Sequence, residues 1–306
     1  MQKFDLHILG CGSALPTTRH NPTSQVLDVR DKLFMIDCAE GTQLQFRKQK
    51  LKFSRLNHIF ISHLHGDHCF GLPGLLSTFN LLGRTAKLHL YSPYDKLEEL
   101  MRPWLDYFCA EMTYEVVFHA VDPKVVSVVY EDRTLTVETI PLRHRVPCCG
   151  YLFREHAPRP HIRREMIDFL GVPFHAINAI KAGEDWVDAD GRVWENEKLV
   201  LPHAEKARAY AYCSDTLYRP GLAEQLKEVD LLFHEATFAD AERKRAKVTG
   251  HSTAAQAAQI AQAAQAKRLV IGHFSARYED ESALLKEAQA IFPDTINAAE
   301  GLKISL

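Results

Sequence analysis

From His58 the chain reads His58-Ile59-Phe60-Ile61-Ser62-His63-Leu64-His65-Gly66-Asp67-His68, an apolar strand that runs straight into four metal-competent side chains within six residues. This density restricts the fold more than any other feature. One strand must deliver the cluster at its end, and other strand ends must supply whatever ligands are missing. Residues two apart in an extended chain face the same way, so His63 and His65 can share one ion. Gly66 permits a turn that aims Asp67 and His68 at a second. Imidazole nitrogens and carboxylate oxygens are the donor set of a hydrolytic zinc or manganese site.

Three further candidates stand at the ends of expected strands: His144 after Leu135–Ile140, Asp215 at the end of AYAYCSDT, and His273 at the end of LVIGH. A carboxylate such as Asp215 can bridge two cations and reduce their repulsion. Each has an alternative reading, His144 as a surface residue beside Arg143 and Arg145, and Asp215 as a helix cap before Leu217. His251 follows Gly250 and opens a helical pattern with Ser252 and Thr253, so it either belongs to a helix cap or delivers a proton. Cys69 directly follows the cluster and reads either as a ligand or as a small buried hydrophobe. His7 and His89 sit inside apolar strands. His20, His58, His119, His156, His161, His175 and His203 have no clustered partners in sequence and read as structural or exposed.

Strands are expected at Phe4–Leu9, Gln25–Val29, Leu33–Asp37, His58–Ser62, Lys87–Tyr91, Tyr114–Val121, Val125–Tyr130 and Leu135–Ile140. They return at Arg208–Cys213, Leu231–His234 and Arg268–Gly272, with helices at Thr253–Ala266 and Ser282–Ile291. Two β-rich halves with outer helices predict a layered α/β sandwich. From about Glu155 to Pro202 the pattern breaks into a Pro- and Arg-rich, then helix-like, then turn-rich stretch, which reads as an insertion on that scaffold. With 306 residues and a formal charge of -2, the chain can bury a large core but has no global cationic field, so any nucleic-acid site must be local. Seven scattered cysteines form no CxxC pair, and no apolar run approaches a membrane span or a secretory signal, so reduced thiols and a cytoplasmic location are expected.

Narrower motifs give the cluster a family. The stretch Asp37-Cys38-Ala39-Glu40-Gly41-Thr42-Gln43, the FHEAT run at 233–237, the run Gly250-His251-Ser252-Thr253 and the GHFSARY run at 272–278 resemble, in order, the motifs of the ribonuclease Z family. This is the tRNA 3′-processing branch of the metallo-β-lactamase superfamily. The resemblance spans nearly the whole chain. It implies a four-layer αββα sandwich forming a single domain over residues 1–306, with an inserted exosite arm at 155–202. It implies two zinc ions, one held by His63, His65 and His144, the other by Asp67, His68 and His273, with Asp215 bridging. It makes Asp67 the proton acceptor and His251 the donor to the leaving oxygen, with Glu235 of the HEAT run as orienting partner. The arm would grip precursor tRNA through Arg159, Arg163, Arg164 and Lys181, in a homodimer.

The chain departs from the family pattern at two places. The loop Pro16-Thr17-Thr18-Arg19-His20-Asn21 has Thr18 and His20 where the family usually carries a Lys and a second basic residue. The arm has Val172-Pro173-Phe174 and Ile180-Lys181-Ala182-Gly183 instead of the usual Gly-Pro turn. A small-molecule phosphodiesterase, arylsulfatase or thioesterase on the same scaffold would show the same metal cluster but would have no use for a basic arm. A non-catalytic RNA-binding protein would not need both ligand sets.

Overall fold

The computed structural model describes residues 2–109, 111–157, 160–201 and 206–306. The chain begins with three antiparallel strands, β1 (Phe4–Gly10), β2 (Ser24–Val29) and β3 (Lys32–Ile36). After α1 (Thr42–Lys48) it switches to parallel crossovers: β4 (Leu56–Phe60), the short α2 (Gly66–Cys69), α3 (Leu72–Leu81), β5 (Leu88–Pro93), α4 (Lys96–Phe108) and β6 (Val116–Val121). A second sheet opens with β7 (Val128–Glu131), β8 (Leu135–Pro141) and β9 (Cys149–Glu155). A run of small elements follows: β10 (His161–Ile162), α5 (Arg164–Phe169), α6 (Ile177–Lys181), β11 (Trp186–Val187), β12 (Val193–Trp194), α7 (Asn196–Leu199) and β13 (Val200–Leu201). The second sheet then resumes with β14 (Ala209–Cys213), α8 (Leu222–Gln225), β15 (Leu231–Glu235), α9 (Arg243–Thr249), α10 (Ala254–Ala263), β16 (Leu269–Gly272), α11 (Ser282–Gln289) and β17 (Thr295–Asn297). The last strand, β18 (Lys303–Ser305), returns to the first sheet beside β1.

Both sheets are seven-stranded and mixed, ordered β18-β1-β2-β3-β4-β5-β6 and β17-β16-β15-β14-β9-β8-β7. They face each other through Phe34 on Phe153, Phe60 on Tyr151 and the hydrogen bond from Tyr212 to Asp37. On the outer face of the first sheet, Leu72, Leu76 and Phe79 of α3 and Leu97, Met101 and Leu105 of α4 join Ile59, Leu88 and Leu90 in one core. On the outer face of the second, α10 packs on β15 and β16. The result is the expected four-layer αββα sandwich. Strands β14 and β16 are buried at every residue because both of their faces are covered, which is why they read as near-continuous apolar runs. Within the two large sheets, sequence patterning missed β9, β17 and β18. The last two are only three residues long, and their place is fixed by pairing with β16 and with β1, the latter some 300 residues away.

The chain divides into two compact units. One is Glu155–Arg208 with Asp132–Leu135; the other comprises Gln2–Glu131, Thr136–Arg154 and Ala209–Leu306. The smaller unit has its own core of Ile167, Val172, Ile180 and Leu199, flanked by Trp186 and Trp194. It starts where the sequence pattern breaks and runs six residues past Pro202. All the site chemistry described next belongs to the larger unit.

Candidate metal centre

Each functional side chain is delivered by the end of a strand. Strand β4 stops at Phe60, and Ile61 continues the extended path through its N–H bond to Tyr91. His63 and His65 follow, and the chain then turns into α2 with Asp67 and His68 in its first turn. Gly66 serves this turn by close approach. A Cβ there would lie 2.2 Å from the Phe70 ring, while its φ is not left-handed. His144 lies between β8 and β9, Asp215 two residues after β14, and His273 directly after β16. Asp215 and His273 both take left-handed φ values, 54° and 60°, as does Asp37 after β3 at 56°. Such conformations cost non-glycine residues about 1–3 kcal/mol each, and they gather where side chains must be aimed against backbone preference.

The seven side chains form two donor sets that share one carboxylate. In the first, His63 Nε2 lies 3.0 Å and His144 Nε2 3.3 Å from His65 Nδ1, and both Nε2 atoms are 3.7 Å from Asp215 Oδ2. In the second, His68 Nε2 and His273 Nε2 lie 3.5 and 3.6 Å from Asp67 Oδ2, and 3.3 and 3.1 Å from Asp215 Oδ1. A tetrahedral ion with bonds of ~2.0–2.1 Å spaces its donors by about 3.3 Å, so each set has the dimensions of one coordination shell. His68 Nε2 and His273 Nε2 are buried and make no hydrogen bond of good geometry. Buried polar atoms are seldom left so, and a cation between the donors would satisfy them.

A second layer of contacts orients the first. Asp37 accepts from Ser62 N at 2.7 Å, Ser62 Oγ at 2.9 Å, Tyr212 Oη at 2.7 Å and His68 Nδ1 at 2.7 Å. His63 Nδ1 donates to Ser62 Oγ, His144 Nδ1 to the Gly250 carbonyl and His273 Nδ1 to Thr237 Oγ1. With Nδ1 occupied, four histidines turn Nε2 inward. Burial pushes the imidazoles of His63, His65 and His144 toward the neutral form that a ligand needs. Burial alone would raise the pKa of Asp67, but the imidazoles of His273 and His68 beside it hold it well below the usual carboxylate range. Asp215 is likewise held down, against burial, by the charges of His273 and His68. His68 itself is driven the other way, because Asp215 and Asp37 outweigh its burial and keep it protonated.

Beside the donors stands an acid–base pair. Glu235, the last residue of β15, is buried, and its Oε1 accepts from His251 Nδ1 at 2.9 Å and from Thr216 N at 3.0 Å. Thr237 donates to the other oxygen at 2.7 Å while accepting from His273, so it couples this pair to the ligand set. Burial favours neutral His251, but the charge and hydrogen bond of Glu235 override it and raise the pKa to about 9. A cavity of about 300 Å³ opens onto Asp67, Asp215, His251 and His273, with Arg145, Arg245 and Arg277 at its rim. His251 also borders a neighbouring cavity lined by Arg143, Lys244 and Lys247.

The alternatives left open by sequence resolve as follows. The His144 side chain is 2% exposed, unlike its exposed neighbours Arg143 and Arg145. The next helix after Asp215, α8, is capped at Gly221, and the cap of α10 is Thr253, in a capping box with Gln256, so neither Asp215 nor His251 is a cap. Cys69 packs on the core and contacts the His65 carbonyl, outside both donor sets. Arg163 and Arg164 lie at the start of α5, both exposed, with Arg164 paired to Asp168; Lys181 ends α6 half-buried. Arg159 lies outside the described residues. Three histidines read as isolated do have partners. His20 meets Cys11 and Glu300, and His58 and His119 stack on either side of His89. These contacts join distant segments, so sequence spacing could not reveal them. The Arg-Lys-Arg-Ala-Lys run of α9 also stands beside the site, and sequence alone does not single it out, because a charge run on a helix ordinarily is a solvated face.

Residues 4–156 match the family model of the anti-Pycsar protein Apyc1, and residues 167–274 that of the beta-lactamase superfamily domain. Ribonuclease Z of Bacteroides fragilis strain YCH46 is 65% identical over 306 residues, all of this chain and all of that protein. Ribonuclease Z of Porphyromonas gingivalis strain W83 is 52% identical over the same span, again covering all of both. Among solved structures, the short form of human tRNase Z superposes with a TM-score of 0.71 at 27% identity, covering 98% of each chain. The metallo-beta-lactamase fold protein YhfI of Bacillus subtilis shares the fold, with a TM-score of 0.69 at 18% identity, over 99% of this chain and all of that one.

Proposed function

This chain belongs to the ribonuclease Z family and is a metal-dependent endoribonuclease of tRNA 3′ processing, and from that premise we propose a specific division of labour at its centre. His63, His65 and His144 would hold one zinc ion and Asp67, His68 and His273 a second, with Asp215 facing both donor sets. The observation that carries this reading is the split carboxylate of Asp215, which turns Oδ2 to one set and Oδ1 to the other. Bound there, two such ions supply Lewis acidity that offsets charge on a phosphoryl group and acidifies water. Asp67, on the cavity wall, takes the proton of the attacking water. His251 is held as an imidazolium by Glu235 and gives its proton to the departing 3′-oxygen. Cleavage next to the discriminator nucleotide would leave a 3′-hydroxyl on the tRNA and a 5′-phosphate on the trailer.

We place the RNA backbone first on the cationic rim beside His251, where Arg143, Arg145, Lys244, Arg245 and Lys247 stand exposed around the two cavities. Arg159, Arg163, Arg164 and Lys181 of the smaller unit add further contacts to the substrate, as an exosite arm in a cytoplasmic homodimer. A small diester would need none of this charge, and that separates the tRNA reading from a small-molecule phosphodiesterase or arylsulfatase. No described helix is long and apolar enough to cross a membrane. Incubating the purified protein with a 3′-extended precursor tRNA and mapping both new ends tests the proposal. Cleavage next to the discriminator is expected, and hydrolysis of small diesters with intact precursor would overturn it.

A further inference from the structure

Just past the end of β1, three ligating side chains from remote segments converge. Cys11 follows β1, His20 lies in the loop before β2, and Glu300 lies in the turn before β18. Cys11 Sγ is 3.2 Å from His20 Nδ1, His20 Nδ1 is 2.9 Å from Glu300 Oε2, and the sulfur is 3.7 Å from that same oxygen. An ion with bonds of about 2.3 Å to sulfur and ~2.0 Å to nitrogen and oxygen separates such donors by ~3.3–3.6 Å. The trio therefore already outlines one face of a tetrahedron, needing shifts of only a few tenths of an ångström.

A second observation points the same way. His20 turns its other nitrogen, which is buried and lacks a hydrogen bond of good geometry, toward Glu281 Oε1 at 3.4 Å, and Arg19 Nη2 holds that carboxylate at 3.1 Å. A carboxylate behind the far nitrogen is the usual outer partner of a metal-bound histidine, fixing its tautomer and aim. Charge makes the same demand. Cys11 is fully buried, and its burial and the nearby Glu300 keep the thiol protonated. A thiolate and a carboxylate this close are compatible only with a cation between them. A dication with thiolate, carboxylate and neutral imidazole carries the same zero net charge as thiol, carboxylate and imidazolium. Uptake is then an exchange of one divalent ion for two protons.

We propose that Cys11, His20 and Glu300 form a separate mononuclear site for a zinc-class ion, sharing no ligand with the binuclear centre. The ion would clamp the loop beside that centre. Ser13 and Ala14 of this loop line the main cavity, the Cys11 carbonyl accepts from Phe274 N at 2.9 Å, and Phe274 directly follows His273.

The test uses full-length protein stripped of metal and reloaded with cobalt(II), whose bond to a thiolate gives a near-ultraviolet charge-transfer band that histidine and aspartate ligands do not. The parent should show the band and hold about three ions per chain. Cys11→Ser and Glu300→Gln should each abolish the band, leaving about two ions and an unchanged circular dichroism spectrum. Comparison with Cys11→Ser also excludes Cys148, whose sulfur lies 3.9 Å from His63 Nδ1. A parent with no thiolate band at full loading, or one whose band and metal content survive Cys11→Ser, would overturn the proposal and leave the trio a hydrogen-bonded cluster only. Because the readout is spectroscopic, failure here leaves the tRNA-processing reading untouched.

Discussion

In the proposed mechanism Asp67 and His251 handle protons at opposite ends of the same reaction, and only one of them depends on what leaves. A ribose 3′-oxygen is a poor leaving group and needs His251, whereas p-nitrophenolate departs unaided. His251→Ala should therefore cut precursor tRNA ~10²–10⁴-fold more slowly, yet hydrolyse bis(p-nitrophenyl) phosphate at close to the parental rate with full metal content. Asp67→Ala should lose both activities. A His251→Ala protein that arrives without its metals would remove the acid assignment. The pH profile gives an independent check. The imidazolium is the competent form, so tRNA cleavage declines as pH rises through the His251 pKa, which Glu235 raises to about 9. In Glu235→Gln that support is gone, and the alkaline decline should begin at lower pH. An unmoved limb in kcat/KM would mean that Glu235 does not set the charge of His251.

At the scale of elements, the cationic charge near the chemistry sits on α9, whose exposed Lys244, Arg245 and Lys247 flank the cavities that meet at His251. The segment Glu155–Arg208 carries eight Lys or Arg against ten Asp or Glu, so its balance is acidic, and Arg164 is already paired with Asp168. Replacing Lys244, Arg245 and Lys247 by Gln should lower the slope of log affinity for precursor tRNA against log salt by ~2–3, at about 0.9 per lost phosphate contact. Neutralising Arg159, Arg163, Arg164 and Lys181 should flatten it less. Neither variant should slow a small chromogenic diester. If the arm variant shows the larger change, the arm and not α9 carries the backbone contacts.

For the molecule as a whole, the proposed binuclear centre would tie together the strand ends of both sheets. The stretch after β4 belongs to the first sheet, and His144, Asp215 and His273 to the second. Without ions, Asp67, Asp215 and protonated His68 remain close and largely buried, which costs stability. An ion present at 1,000 times its dissociation constant contributes ~4 kcal/mol per site. Chelation should thus lower the melting temperature by roughly 10 °C or more, reversibly on return of zinc. A melting curve unchanged in protein shown to be metal-free would mean that the sheets hold these strand ends unaided.

The sequence by itself determined the chemistry at each position. An apolar run ending in a polar residue is a local pattern, so His63, His65, Asp67, His68, His144, Asp215 and His273 could all be picked out as strand-end donors before their contacts were known. It also exposed the break at Glu155, because a loss of periodicity is likewise local. Only the tertiary structure decided which donors share a shell, since the 3.0–3.7 Å spacings depend on how two sheets stack and on backbone strain at Asp37, Asp215 and His273. It alone set Asp37 behind His68, brought α9 to the cavity rim, paired β18 with β1, and gathered Cys11, His20 and Glu300 across 289 residues. These contacts arise from packing between segments far apart in the chain, and a pattern confined to a short window carries no record of them.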